Sequence, residues 1–472
     1  MKYWLSLLLL VVPGVAGKIS QDPPPKAALN IVLILADDLG YGDLSSYGSD
    51  YFQTPHLDQL ANQGMRFTDA YANSPNCAPT RAALLSGQYS PRTGIYTVNS
   101  SARGPVTERV LIPTKNQRSL EPRVVTLAEA IRDAGYKTAH MGKWHLGEGS
   151  ETGPLGQGFD VNLAGNQRGH PASYFSPYSN AELSDGPAGE YLTQRLTTEA
   201  IGFIESNQAQ PFFLYLPYYT VHTPIQPNAK DLARIEKREP GEVHTDQRYG
   251  AMVEGMDGQV GRILAALDRL KLAENTIVVF ASDNGGRSPE TDMLPLRGSK
   301  GMLYEGGIRV PFIVRWPGVT KPATVSHEPV LTFDLYPTLV AAAGGKLPKG
   351  TPIDGRNLAP VLADSTADLG REAIFWHFPA YLHGYRSMSE EGPRPGWRAT
   401  PSSAMRAGDW KLIQSFETDT FELYNLAEDP GEKTNLASAK PEVLKRLEAQ
   451  LEAWQQATDA PVDFALNPDY AD

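Results

Sequence analysis

Two nearly uninterrupted apolar runs, residues 29–35 (LNIVLIL) and 276–281 (TIVVFA), constrain this chain more than any other feature. Neither alternates apolar with polar, so neither suits a strand with one wet face. Both suit strands buried on two faces, as in a parallel sheet covered by helices. Residues 211–217 (PFFLYLP) and 310–314 (VPFIV) are further strand candidates, and helical patterns fall at 55–64, 127–135, 192–206, 249–270 and 329–343. Strands alternating with helices imply an α/β layered fold, and no internal repeat is present. The 472 residues are enough for one large domain and a smaller one. After about Asp364 the character changes. Residues 373–377, 410–413 and 421–424 read as shorter, mixed strands, 442–457 as an amphipathic terminal helix, and the Gly- and Pro-rich stretch 382–403 as a long loop. The expected division is a main domain over 28–364 and a smaller α+β domain over 365–472.

The first 17 residues read as a signal peptide. Lys2 supplies the positive charge, residues 7–12 a short apolar stretch, and Gly14-Val15-Ala16 small residues suited to cleavage. That stretch is too short to span a bilayer, and no later segment is long enough, so no membrane anchor is expected. Residues 18–27, with QDPPPK, form an extended leader. This reading puts the protein in a periplasm or outside the cell. Formal net charge is -11, so nothing global favours nucleic acid, and an anionic substrate would need locally gathered cations. The chain has one cysteine, Cys77, which excludes an intrachain disulfide.

In α/β sheets, ligands gather at the carboxyl ends of strands. The two best strands end in Asp37-Asp38 and in Asp283-Asn284. Three carboxylates and an amide make a hard-oxygen set suited to calcium or magnesium, not zinc or copper. Each pair alone could equally be a turn or a helix cap. Pro79 is well placed to start a helix, which puts Cys77 at or beside its N-terminus, where the helix dipole and Arg81 favour an anion. A lone cysteine can equally be a small buried hydrophobe.

Resemblance bears on that choice. Cys77-Ala78-Pro79-Thr80-Arg81 resembles the sulfatase motif Cys-x-Pro-Ser-Arg, with Thr80 where serine is commoner. Leu84-Leu85-Ser86-Gly87 resembles the Leu-Leu-(Ser/Thr)-Gly found a few residues downstream in that family. Residues 135–147 (GYKTAHMGKWHLG) resemble the family's second motif, and His222-Thr223-Pro224, 296–301 (LRGSKG) and 304–311 (YEGGIRVP) continue the likeness. The segment from Leu423-Tyr424-Asn425-Leu426 to Asn435-Leu436 resembles its C-terminal part. The likeness covers nearly everything after the leader. It implies an alkaline-phosphatase-like fold: a large mixed, mostly parallel sheet sandwiched by helices, with a smaller C-terminal α+β domain carrying a short antiparallel sheet and a terminal helix.

By the same resemblance, Cys77 is converted to formylglycine by a formylglycine-generating enzyme, and the aldehyde hydrate is the nucleophile. Asp37, Asp38, Asp283, Asn284 and the modified Cys77 bind one divalent cation, Ca2+ rather than Mg2+. Arg81 holds the hydrate, Lys143 and Lys300 neutralise sulfate oxygens, and His145 and His222 transfer protons, His222 to the leaving oxygen. Aromatic and cationic loop residues at 166–178 and 376–398 suit stacking on sugar rings and pairing with sulfates. Arg168, His170, His377 and Arg386 are the substrate-binding candidates, and a sulfated polysaccharide or its oligosaccharides the expected substrate. The alternatives are a phosphomonoester or phosphonate hydrolase of the same fold, and a non-catalytic sulfated-glycan binder.

Overall fold

A computed structural model describes residue 1, residues 28–384 and residues 392–471. The signal peptide and leader expected at 1–17 and 18–27 lie outside the described residues apart from Met1, as does Arg386. In chain order the strands are β1 (Asn30–Ala36), β2 (Met65–Phe67), β3 (Ala70–Tyr71), β4 (Lys137–Met141), β5 (Val161–Leu163), β6 (Phe212–Pro217), β7 (Thr276–Ser282) and β8 (Phe312–Arg315). They continue as β9 (Thr324–Ser326), β10 (Val330–Leu331), β11 (Ile374–Phe378), β12 (Leu382–His383), β13 (Trp397–Ala399), β14 (Ser402–Ala407), β15 (Trp410–Ser415) and β16 (Thr420–Asn425).

Eight of them form the main sheet, in the order β5-β4-β6-β1-β7-β8-β2-β9. The two apolar runs are its central neighbours, parallel and fully buried, with Leu35 opposite Ala281 and Ala36 opposite Ser282. The pleat sends alternate side chains to opposite faces. Val32, Ile34 and Ala36 pack into a core shared with helices Pro55–Gln63, Leu192–Ser206 and Gln247–Arg269. Ile31, Leu33 and Leu35 pack into another, shared with Cys77–Ser86, Leu127–Asp133 and Leu335–Ala342. The sheet is mixed because β8 runs antiparallel to both β7 and β2. β3 and β10 form a separate parallel pair.

The C-terminal part is an antiparallel sheet, β11-β14-β15-β16, covered by helix Pro441–Ala457. Trp454 on that helix stacks on Phe375 with ring centroids 4.9 Å apart. The sheet is tied to the main unit through buried charge: Lys411 Nζ lies 3.0 Å from Glu305 Oε1 and 2.7 Å from Glu432 Oε1.

Two expectations change. Residues 382–403 are not loop throughout, since β12 pairs with β13 and β14 begins at Ser402. Residues 329–343 are not one helix but strand β10, a 3-10 turn at Thr332–Asp334, and helix Leu335–Ala342. Among the described residues no helix is long and apolar enough to cross a membrane.

Candidate active site

The register of β1 against β7 brings the two carboxylate pairs side by side at the carboxyl ends of the central strands. Asp38 N donates to Asp283 Oδ1 at 3.3 Å, and Asn284 Nδ2 donates to Asp38 Oδ1 at 2.9 Å. Asp38 takes φ +62°, in the left-handed region that non-glycine residues seldom occupy, so the backbone accepts strain to aim its carboxylate.

Cys77 is the first residue of helix Cys77–Ser86, as the sequence suggested, and Asn76 before it turns its side chain away from the helix end to donate to Thr97 Oγ1 at 2.9 Å. Oxygen or sulfur atoms of Asp37, Cys77 and Asp283 all lie within 4.8 Å of one another. Thr80, one turn on, uses its hydroxyl twice: it donates to Ser74 O at 3.0 Å and accepts from Ser74 N at 3.1 Å. That closes the turn leading into Cys77.

Each carboxylate has a cation of its own. Arg81 Nε donates to Asp283 Oδ2 at 2.8 Å and its Nη1 to Lys143 O at 2.8 Å. Lys143 Nζ donates to Asp37 Oδ2 at 2.7 Å, and Lys300 Nζ to Asp38 Oδ2 at 2.7 Å. Burial opposes charge on Asp38, yet Lys300, His222 and Lys143 hold its pKa below the usual carboxylate range. Burial likewise works against the ammonium groups of Lys143 and Lys300, but Asp37 and Asp38 respectively push them above the usual lysine value. Lys143 reaches Asp37 because the chain turns tightly at Gly142, where φ is +133° and a Cβ would meet the Pro217 carbonyl oxygen at 1.9 Å.

Two histidines flank Cys77. His145 Nδ1 is 3.6 Å from Cys77 Sγ, and His222 Nε2 is 3.5 Å from Asp38 Oδ2. Burial, and then the surrounding cations, push both imidazoles well below their ordinary pKa. His145 has φ +64°, a second strained residue at the same place.

The donor set fits a divalent cation. Asn284 is fully buried, its amide nitrogen donates to Asp38 and Gly285, and its Oδ1 has no hydrogen-bond partner among the described residues. A buried carbonyl oxygen without a donor is costly unless an ion completes it. Beside it are three carboxylates, the oxygen chemistry that calcium prefers. The site is a divalent-cation cluster at the lone cysteine.

Above this floor opens a cleft of about 510 Å³, reached by Cys77, His145, His222 and Lys300. Arg81, Lys143, Asp37, Asp38, Asp283 and Asn284 are buried beneath it and do not line it. Arg168 and His170 line the cleft, and His170 stacks on His222 with centroids 6.1 Å apart. His377 does not. It is buried in β11 with Nδ1 2.7 Å from Ser403 Oγ, and burial pushes its pKa down to about 3, so it cannot present a cation to substrate. Sequence reasoning missed Arg103, Arg118 and Arg287, which line the same cleft, and gave Arg398 no role of its own. Arg287 could have been found from its place just after the Asp283-Asn284 strand end. Arg103 and Arg118 carry no local signal.

The sulfatase family model matches residues 29–345, and the model described as N-sulphoglucosamine sulphohydrolase, C-terminal, matches residues 299–457. A sulfatase of Formosa agariphila is 35% identical, covering 96% of this chain and 93% of its own. Human arylsulfatase A is 35% identical, covering 97% and 92%. Among solved structures, Ps i-CgsB in complex with k-i-k-neocarrahexaose is similar with a TM-score of 0.75 at 29% identity, covering 90% of this chain and 92% of that one. With the family model spanning most of the chain, and these relatives nearly all of it, the chain belongs to the sulfatase family, as a type I, formylglycine-dependent member of the alkaline-phosphatase superfamily.

Proposed function

We propose that this sulfatase hydrolyses sulfate esters on a sulfated polysaccharide or its oligosaccharides, and that it works in a periplasm or outside the cell. The observation that carries the substrate reading is the cleft over Cys77, where five arginines and Lys300 gather in a chain of net charge -11. Such local concentration favours a substrate with more than one anionic group. The likeness to a structure holding a neocarrahexaose points the same way. Lys2, the apolar stretch 7–12 and Gly14-Val15-Ala16 support export.

The formylglycine made from Cys77 supplies, as its hydrate, the attacking oxygen, and a calcium ion supplies Lewis-acid polarisation. Asp37, Asp38, Asp283 and Asn284 would hold that ion. Arg81 fixes Asp283 and the Lys143 carbonyl, so the floor under the nucleophile cannot shift. Lys143 acts from beneath, through Asp37, whereas Lys300 faces the cleft and takes up charge on the sulfate oxygens. His145 lies beside Cys77 and takes the proton of the hydrate's second hydroxyl, so that collapse to the aldehyde expels sulfate. His222, at the cleft wall beside Lys300, hands a proton to the leaving sugar oxygen; Asp38, 3.5 Å from its Nε2, is the carboxylate that favours the protonated ring against burial and Lys300. Fixed cations around developing charge supply most of the rate gain. A formylglycine-generating enzyme is the partner this scheme requires.

Cys77→Ala tests the scheme. The variant should fold and release no sulfate from p-nitrophenyl sulfate or sulfated oligosaccharides, while the wild-type Cys77 peptide should be about 18 Da lighter than its thiol form (thiol to aldehyde). Full turnover by Cys77→Ala refutes the nucleophile. Wild-type turnover of p-nitrophenyl phosphate in preference to both sulfate esters refutes the substrate class.

A further inference from the structure

We infer that the substrate-binding surface continues from the reaction cleft into a second cleft of opposite charge, which receives an unsulfated sugar residue of the same chain. This rests on the sulfate-ester chemistry proposed above and adds a rule about neighbouring sugars.

The second cleft, about 740 Å³, adjoins the first, and the two share Glu148 and Arg168 as a common wall. Arg168 is held there by two neutral oxygens: its backbone N–H donates to Asn166 Oδ1 at 2.8 Å and its Nη1 to Ser179 O at 3.0 Å. On the Cys77 side of that wall the lining is cationic, with Glu148 the one carboxylate in it among the described residues. Beyond it the cations stop. Among the described residues Arg168 is the one cation that lines the second cleft, and Glu148 and Glu182 are its carboxylates, with Asn162 and Asn166 as neutral polar groups. Asn162 Nδ2 donates to Gly165 O at 3.0 Å and to Glu182 Oε2 at 3.3 Å, which holds the amide and the carboxylate together. Leu155, 56% exposed, gives the same cleft an apolar surface.

Carboxylates and amides suit the hydroxyl groups of a neutral sugar, and an exposed leucine suits its C–H face. A sulfate entering the same space would meet Glu148 and Glu182 at short range and lose its water with no cation to replace it. The paired clefts therefore discriminate by charge pattern. Sulfates are accepted around Cys77, and a neutral sugar is favoured beyond Arg168.

The test uses galactan- and glycosaminoglycan-type oligosaccharides in matched pairs that differ by one sulfate on a neighbouring residue, each side varied in turn, with a sulfated monosaccharide and p-nitrophenyl sulfate alongside. Sulfate release by the full-length matured enzyme should favour the neutral neighbour about tenfold in kcat/KM on one side of the cleaved position (about 1.4 kcal/mol). Glu182 is exposed, so substitution there should not disturb folding. Glu182→Gln should shrink the ratio and Glu182→Lys abolish or invert it. Equal rates on both members of every pair, an unchanged ratio in Glu182→Lys, or turnover of the small esters with no oligosaccharide turned over, each overturns the inference. Failure to release sulfate from any compound overturns instead the sulfate-ester reading beneath it.

Discussion

Replacing Thr80 with valine removes one hydroxyl at nearly constant shape. In the folded protein that hydroxyl satisfies both backbone polar groups of Ser74, and the two residues are 0% and 2% exposed. Valine would leave an N–H and a C=O unpaired in a dry place. Each such group costs about 1–3 kcal/mol, so some local relaxation leaves about 2–4 kcal/mol for the pair. Thr80→Ser keeps both bonds and gives up one buried methyl, about 1 kcal/mol. An unfolding entropy of about 2 cal/mol/K per residue makes the whole chain lose about 1 °C of Tm per kcal/mol. Differential scanning calorimetry at fixed calcium should therefore find Thr80→Val about 2–4 °C below wild type and Thr80→Ser about 1 °C below. Because the turn leads into Cys77, sulfate release should fall more in the valine variant. Equal Tm values for the two variants, or a lower one for serine, would refute the claim that the hydroxyl braces the turn.

Removing the cation by chelation should abolish sulfate release and lower Tm by about 3 °C, if calcium was present at about a hundredfold over its Kd. Calcium should restore both better than magnesium, and a stripped protein with unchanged Tm and activity would sink the assignment. Asp283→Asn leaves Arg81 buried without its counter-charge. Denaturant titration should show a loss of about 3–5 kcal/mol, and a loss below about 1 would mean that Arg81 finds another acceptor. His244 is 3% exposed, with Nδ1 2.7 Å from Asp50 Oδ1 and Nε2 3.4 Å from Asp43 Oδ1. Burial opposes its charge, but Asp43 and Asp50 raise its pKa above the ordinary 6.5. A pKa raised on folding stabilises the protein fully below the unfolded value of about 6.5, and that contribution is lost as pH rises through the folded value. Tm should thus fall between pH 6 and alkaline pH, and His244→Gln should flatten the slope; an identical slope in the variant removes His244 as the cause.

Much of this fold is legible because β1 and β7 are buried on both faces, and burial of that kind leaves an apolar run with no alternation. Their carboxyl ends carry Asp37, Asp38, Asp283 and Asn284, so the acidic cluster beside Cys77 could be read from the same two segments. The gaps have physical reasons. Gly384, Gly392 and Gly396 near the β12–β13 pair gave residues 382–403 the composition of a loop, although the two strands pair across them. Residues 329–343 are apolar enough to hide where β10 stops and helix Leu335–Ala342 begins. His377 looked like a glycan contact because aromatic and cationic neighbours surround it in sequence. Strand alternation instead turns it inward against Ser403. Arg103 and Arg118 belong to the cleft only because the chain folds back past His145, a relation that no local pattern records.

The pairing of Asp37, Asp38 and Asp283 each with its own cation has a consequence for order of binding. Arg81, Lys143 and Lys300 formally cancel Asp283, Asp37 and Asp38, so these six residues carry no net charge by themselves. Beyond what Lys300 and the cleft-wall arginines supply, the pull on an anionic ester from beneath Cys77 then comes with the two positive charges of the ion. Thermodynamic reciprocity requires that the factor by which calcium tightens the ester equals the factor by which the ester tightens calcium. A protein built this way can stay folded in calcium-poor surroundings, through its internal ion pairs, while holding sulfate only by Lys300 and the arginines of the cleft wall. Calcium supply would then set when it works without deciding whether it survives.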